Sequence, residues 1–512
     1  MAQGGIRNGF FFYFGLFVLL LIAIFLVILV ILFFNPGKTI CWLQYFNKGE
    51  TVQLQMTTDD SETPINLTDG SIDRIVVDCS YANVYVQVNE EIGKSCVQIV
   101  NEASGFATYV QARPFEYSVV YDEQDPSTLR ISVTEPVGFI YLSKNISITI
   151  NIRASYSQGN GVVTDGDFSN VDFEITTTDG NIFLGTSQAL SHEIRPGNIT
   201  AKTGSGNIYL SRNLELDNTR SLSLTTGSGD ITTDNYNISL DDSGNLDTGD
   251  NANLNAKGIV MTMGSSLTLS TNTGQMDFDL VSILGMGNLR MENENGNITI
   301  DQINVSAIEL DAYEGNYYFG TVTADEVSFT PSEDRIMSPN IRIGTLRGNI
   351  FISSSRTNAS PDVTVDHLFG RLSVTNTNGI YNIGEISGVI VFDSNSGTLN
   401  ATLADNRILS QADTIETESG NITLTYAGTF NNTMNITTNS GRVRINISDS
   451  TGFTSTAKDT NGENLPSDSN RISVNIGTNE AVKNPLYVPG SGSLHGTINI
   501  TTGGNVEYVK ID

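Results

Sequence analysis

The chain has 512 residues, long enough to bury a large core, and its 39% hydrophobic content is that of a folded protein. Its formal net charge of −29 comes with no Lys/Arg cluster, which argues against nucleic acid and anionic headgroups as partners. Only 16% of residues are charged and 48 are glycine, a balance that favours turns and strands over long charged surface helices.

Residues 1–9 form a short tail carrying Arg7. Phe10 to Phe34 follows, 25 residues without a charge and dense in Phe, Leu, Ile and Val. As a helix this run is about 37 Å long, enough to cross a ~30 Å hydrocarbon core with some tilt. It ends in Asn35-Pro36-Gly37-Lys38, without a small-residue cleavage site, so an uncleaved single-pass signal-anchor is expected. Flanking charge is nearly balanced, Arg7 against Lys38 and Lys48. The Ser/Thr/Asn/Gly-rich acidic chain that follows places residues 1–9 in the cytoplasm and the C-terminal region outside the cell. Residues 35–70 read as a juxtamembrane stalk. Within it Trp42, Tyr45 and Phe46 either rest at the headgroup level or pack on the folded domain.

Residues 71–155 form an N-terminal β unit. Ile72 to Asp78 and Ala82 to Val88 are two strand patterns joined by a turn, followed by Glu116 to Val120, Leu129 to Val133 and Ile146 to Ile152. Cys79 and Cys96 lie in this unit, 17 residues apart. Outside the cell they are expected to pair, closing a loop worth about 3 kcal/mol. Two separate small buried residues is the alternative. Cys41, beside the membrane, is left to pair between chains.

From residue 156 to 512 one phrase recurs: a polar run, a glycine, then apolar side chains two and four residues on. Thr417-Glu418-Ser419-Gly420-Asn421-Ile422-Thr423-Leu424 is its clearest copy. Gly206 with Ile208 and Leu210, Gly296 with Ile298 and Ile300, and Gly348 with Ile350 and Ile352 repeat it. Several intervals between these glycines are 21 to 23 residues, although 18, 26 and 32 also occur. The alternation is that of a strand with one buried face, and the glycine suits a corner where positive φ is needed. A period in the twenties predicts stacked coils, a parallel β-helix or β-solenoid of ~22-residue coils. An antiparallel sandwich with regular hairpins also alternates and is the competing fold. Roughly sixteen coils would form a rod of about 75 Å at ~4.8 Å per rung. Ile182, Ile208, Ile298, Ile350, Ile422 and Val443 are expected in one buried ladder, so Ile350→Asp should be costly. Asn349→Asp, on the outer side, should be nearly silent. Residues 451–495 interrupt the phrase with Pro- and Gly-rich loops.

Ile72 to Val77, Val84-Tyr85-Val86-Gln87-Val88, Leu129 to Val133, Ile146 to Ile150 and the serial coils such as Ser205-Gly206-Asn207-Ile208 resemble the bacterial putative-adhesin family. The resemblance covers roughly residues 70–512 and implies a β-solenoid in a surface or membrane-anchored protein, with no catalytic signature.

No phosphate loop, nucleophile elbow or zinc-protease motif occurs, no metal-ligand spacing is present, and no cofactor is expected. His192, His367 and His495 are far apart in sequence. The expected function is that of a membrane-anchored extracellular adhesin-like binding or structural protein. Surface glycan, protein and self-association are its candidate partners. The alternative is a surface polysaccharide lyase or glycoside hydrolase using paired aspartates such as Asp165 and Asp167, Asp241 and Asp242, or Asp247 and Asp250. Asn145, Asn198, Asn297 and Asn421 head glycosylation triplets in this Asn- and Thr-rich composition.

Overall fold

The computed structural model describes residues 14–27, 44–55, 72–89, 96–107, 116–134, 139–153, 171–185, 194–237, 239–240, 246–247, 255–329, 338–353, 359–448, 452–475, 484–488 and 496–511, apart from positions 212, 213, 215, 217, 218, 262, 263, 376, 406, 408, 427, 430, 467 and 468. Residues 14–27 are helical and every one of them is exposed. Almost everything else is strand, joined in one continuous sheet system, and the fold is a β-solenoid.

One central coil shows how the sequence winds. Ser266–Thr271 forms the first face, with Leu267 and Leu269 buried beneath Thr268. A corner ending in Gly274 leads to Gln275–Ile283, which bends across two more faces. Met276 and Phe278 enter the core from the second face, Val281 and Ile283 from the third. A turn at residues 284–287 then delivers Asn288–Asn293 onto the first face, in register with the strand that began the coil. Period-two alternation thus buries one side of each short strand, and the corners redirect the chain.

Three ladders run through the interior. On the second face Val84, Ile182, Ile208, Ile231, Met276, Ile298, Tyr317, Ile341, Val363, Tyr381, Leu399, Ile422, Val443 and Val506 stack in parallel register. On the first face Phe173, Ile199, Leu222, Leu267, Leu289, Ile308, Val327, Ile350, Leu372 and Ile390 do the same. The third face carries Ile259, Val281, Ile303, Val322, Leu346, Leu368, Ile386 and Leu403. Parallel pairing along all three ladders excludes the antiparallel sandwich.

Three expectations change. Ile350 is buried as foreseen, but it stacks on Val327 and Leu372 in the first-face ladder, not with Ile182, Ile208, Ile298, Ile422 and Val443. The recurring phrase marks two corners of each coil, because Gly348, Gly370 and Gly388 precede the first face whereas Gly206, Gly296 and Gly420 precede the second. Coil length varies as well: Asn382 and Asn400 stack 18 residues apart, Asn181 and Asn207 26, and Val443 and Val506 63. These longer excursions consume chain, so the second-face ladder from Ile182 to Val506 is about 60 Å long at ~4.8 Å per rung, shorter than the expected 75 Å.

Residues 71–155 belong to the same stack. Arg74–Cys79 and Asn83–Asn89 do not pair with each other. The first pairs in parallel with Thr128–Thr134 and Asp172–Thr177. The second pairs in parallel with Phe139–Arg153 and Ile182–Leu184. They are two sides of one coil, and the turn between them is a solenoid corner. Cys96–Ala107 is a strand that the alternation did not reveal. It pairs antiparallel with Gln44–Gln55 on one side and Phe139–Arg153 on the other, closing this end of the second face.

Candidate functional site

The corners are built by a residue that the sequence pattern did not single out. Three positions before most second-face glycines stands a hydroxyl or amide side chain: Thr203 before Gly206, Thr226 before Gly229, Thr438 before Gly441, with Ala312 before Gly315 an exception. Thr203 Oγ1 accepts from the Gly206 N–H at 3.0 Å and donates to the Gly180 carbonyl of the preceding coil at 2.9 Å. Thr226 does the same with Gly229 and Gly206, both at 2.9 Å. Asn293 and Ser394 take the role of threonine at Gly296 and Gly397. These buried hydroxyls satisfy corner N–H groups, and those of Thr203, Thr226 and Ser394 also tie the corner to the neighbouring coil.

The corner glycines are there for close approach. A Cβ on Gly206 would lie 1.9 Å from the Gly180 carbonyl oxygen, and one on Gly441 1.9 Å from that of Gly420. Neither has positive φ; Gly315, at 111°, and Gly348, at 145°, do. The glycines form a column of stacked backbone, which is a tighter constraint than a left-handed corner.

Beside this column runs a ladder of outward amides and carboxylates. Asn83 Oδ1 accepts from the Asn181 N–H, Asn181 from Asn207, Asn207 from Asp230 and Asp230 from Gln275, at 2.7 to 2.9 Å. Further out the faces carry rows of like or complementary side chains. Tyr85, Phe183 and Tyr209 stack at 4.6 and 4.7 Å between ring centroids, with planes within 8°. Arg290 meets Glu292 at 2.7 Å and Glu309 of the next coil at 2.8 Å. Arg442 pairs with Glu507, and His367 lies 3.2 Å from Glu385. These rows are half-exposed and follow from parallel register, which sets each side chain over its counterpart one coil away.

The sequence-selected carboxylates do not assemble among the described residues. Asp247 sits in a small hairpin of Ser239–Leu240 and Leu246–Asp247, while Asp165, Asp167, Asp241, Asp242 and Asp250 lie outside the described residues. His192 and His495 lie outside them too, as do Cys41 and residues 1–9. Among the described residues no group of three or more His, Cys, Asp or Glu is placed to hold a metal ion.

Asn145, Asn198, Asn297 and Asn421 are all exposed, but each is already engaged. Asn145 Nδ2 donates to Glu102 and Asn198 Nδ2 to Asp172, while Asn297 Oδ1 accepts from Asn316 Nδ2 and Asn421 Oδ1 from the Arg442 N–H. The expected Cys79–Cys96 bond is not formed, and both cysteines are buried. Cys79 Sγ points to the Ala82 and Thr176 carbonyls at the corner. Cys96 lies two strands beyond Asn83–Asn89, where its Sγ accepts from Asn151. Asn151 is level with Gln87, four residues past the corner residue Asn83. That is ~13 Å of strand, beyond the ~7 Å between Cα atoms that a disulfide can span.

Arg407 and Asp413 form a buried ion pair. Asp413 occupies a core rung on the first face opposite Met434 and accepts from the Ile390 N–H at 2.8 Å and from Arg407 Nη2 at 2.9 Å. Arg407 Nη2 also donates to the Gly388 carbonyl. Burial, set against the Arg407 charge and these two hydrogen bonds, raises the Asp413 pKa.

A family profile described as Toastrack DUF4097 matches residues 72–478. None of the curated proteins matches the chain. Similar solved structures include a putative cell adhesion protein from Clostridium sporogenes, 7% identical, covering 91% of this chain and 99% of that one, with a TM-score of 0.17. A putative adhesin from Parabacteroides merdae is 10% identical, covering 66% of this chain and 96% of its own, with a TM-score of 0.19. Another, from Parabacteroides distasonis, is 8% identical and covers 90% and 97% at a TM-score of 0.16. Superposition scores this low add nothing to the fold described above.

Proposed function

This chain belongs to the Toastrack DUF4097 family, and from that premise we propose that it is an adhesin-like binding protein held at a cell membrane with its solenoid outside. The observation that carries the reading is the helix over residues 14–27, whose large apolar side chains stand clear of the solenoid, Leu19 at 68% and Phe25 at 63% exposure. Such a surface is suited to lipid, and the uncharged sequence continues on both sides of it, from Phe10 to Phe34. The described helix by itself is about 20 Å long at ~1.5 Å per residue, and among the described residues no helix is long and apolar enough to cross a membrane.

Binding is distributed over the outer faces. Stacked rows such as Tyr85, Phe183 and Tyr209, or Arg290 with Glu292 and Glu309, present like or complementary side chains over two or three neighbouring rungs. A ligand read by such rows gains many weak contacts at once, so no single side chain dominates. Surface glycans and proteins are the partner classes such rows suit.

The test has two arms. Protease added to intact cells should remove the region after about Gly37, and complete protection in cells with an accessible surface overturns the topology. A glycan and surface-binding screen of the full chain in liposomes should detect binding that survives neutralisation of any one acidic pair. Turnover of a glycan that disappears on one such neutralisation overturns the binding reading.

A further inference from the structure

The N-terminal end of the solenoid carries an extension that stacking does not require. Of the long strand Phe139–Arg153, the part from Ser147 to Arg153 pairs with Asn83–Asn89. The remainder of that strand runs on past the corner with Cys96–Ala107 and Gln44–Gln55, making a three-stranded antiparallel tongue. Its overhang is about 25 Å at ~3.3 Å per residue. Gln44, Ala107 and Phe139 are aligned at its outer end.

That outer end is apolar where a solvated hairpin would be polar. Tyr45 is 59% exposed with its ring edge-on to Phe106 at 5.7 Å. Leu142 is 65% exposed, and the register explains why: Ser104 faces Ser143 and Gly105 faces Tyr141, so Leu142 is the extra residue of a β-bulge. A bulge re-aims a side chain, and here it leaves a leucine in the open.

The chain itself says what lies opposite. The tongue's first strand is entered at Gln44, ten residues after the uncharged run ends at Phe34, a span of ~35 Å at most when extended. Resting on the proposed anchoring of residues 10–34, we propose that the outer end of this tongue docks on the lipid headgroup region, with Tyr45, Phe106 and Leu142 entering the interface. Amphipathic aromatic rings favour that depth, and a leucine beside them gains from leaving water. With a net charge of −29 on the chain, a zwitterionic surface suits the contact better than an anionic one. The tongue thereby sets the solenoid's posture on the membrane, where a helix with a free stalk would let it swing.

Site-directed spin labelling of the full chain in phosphatidylcholine liposomes tests this. In a Cys41→Ser background, labels are placed one at a time through Leu142→Cys, Tyr45→Cys, Leu19→Cys and Met286→Cys, the last on a 79% exposed turn of the solenoid. The ratio of oxygen to nickel-chelate accessibility at 142 and 45 should be several-fold above that at 286. Ratios equal to that at 286 overturn the docking, as does protection from both reagents, which signals a protein contact such as a second copy. Position 19 separates the two readings. A water-like ratio there sinks the anchor itself, whereas an embedded 19 with a water-like 142 and 45 sinks the docking alone.

Discussion

Thr203 and Gly206 close a corner together: the Gly206 N–H donates to Thr203 Oγ1 at 3.0 Å, and that hydroxyl donates onward to Gly180 of the coil before. Thr203→Val keeps the shape and removes both bonds, leaving a buried N–H and a buried carbonyl unanswered. A loss of about 2–4 kcal/mol is expected, against less than half of that for Thr203→Ser. Denaturant midpoints for the two variants check it. Equal midpoints would mean the hydroxyl relay contributes nothing.

The glycine column gives a second contrast. Gly206→Ala sets a Cβ 1.9 Å from backbone oxygen that cannot move without shifting a whole coil, whereas Gly264, at φ +78°, has nothing within 4 Å of a Cβ. Gly264→Ala should therefore cost only the left-handed strain of about 1–2 kcal/mol, and Gly206→Ala clearly more. Thermal melts of the pair decide it, and a milder Gly206→Ala would show that close approach is not the constraint.

Much of this was legible in advance. Residues two and four past each glycine are buried because strand alternation is local, and Ile182, Ile208 and Ile422 fall where it puts them. What was hidden depends on the third dimension. Nothing local to Gly348 says that it turns onto a different face from Gly420, since both corners need the same backbone approach. Thr417, three before Gly420, looked like filler in a Thr-rich chain, although the regular three-residue offset was there to be read. The cysteines misled because sequence separation carries no information about which wall of a coil a residue occupies. The outward amide rows were equally invisible, because they arise only when register sets one coil over the next.

Ile350 and Asn349 test the two sides of one strand. Ile350→Asp puts a carboxylate between Val327 and Leu372 with no cation beside them in the ladder, and a cost of several kcal/mol is expected. Asn349→Asp is no longer expected to be silent. Its Nδ2 donates to the Asp325 carbonyl at 3.1 Å while its Oδ1 accepts from the Arg371 N–H at 3.0 Å. The acid keeps the second bond and turns the first into a meeting of two acceptors, so a loss of about 1 kcal/mol is expected at neutral pH, with recovery as the new acid is protonated. Urea denaturation of both variants at pH 7 and pH 4 measures this.

The Arg407–Asp413 pair fills a core rung with charge at the cost of desolvating both groups. Asp413→Asn alone leaves the Arg407 charge buried and should cost about 3–5 kcal/mol. The double change Arg407→Met with Asp413→Leu should cost less than the single one, because no charge stays buried and apolar side chains run from Ile390 to Met434, although the Ile390 N–H and the Gly388 carbonyl lose these partners. Calorimetry of the single and double variants checks the order. A double variant weaker than the single one would show that the pair contributes net stability.

Cys79 supplies a pH signature. Burial is the largest influence on its thiol and pushes it from 9.0 up to about 11, against smaller lowering by the Thr177 and Ala82 hydrogen bonds. The folded chain thus holds this proton after the unfolded chain has released it. Proton loss on unfolding means that stability falls with rising pH between those two values. The full contribution is present below pH 9 and has been lost by about 11, an amount of roughly 2–3 kcal/mol. Cys79→Val lacks the proton and should show a shallower decline over that window, read as the difference in denaturant midpoints between pH 8 and pH 11. The same burial predicts that the native chain at pH 8 leaves Cys79 unmodified by iodoacetamide, while urea-unfolded chain reacts fully. Identical pH slopes for the two proteins, together with rapid native alkylation at Cys79, would place this thiol in water and out of the corner it shares with Ala82 and Thr176.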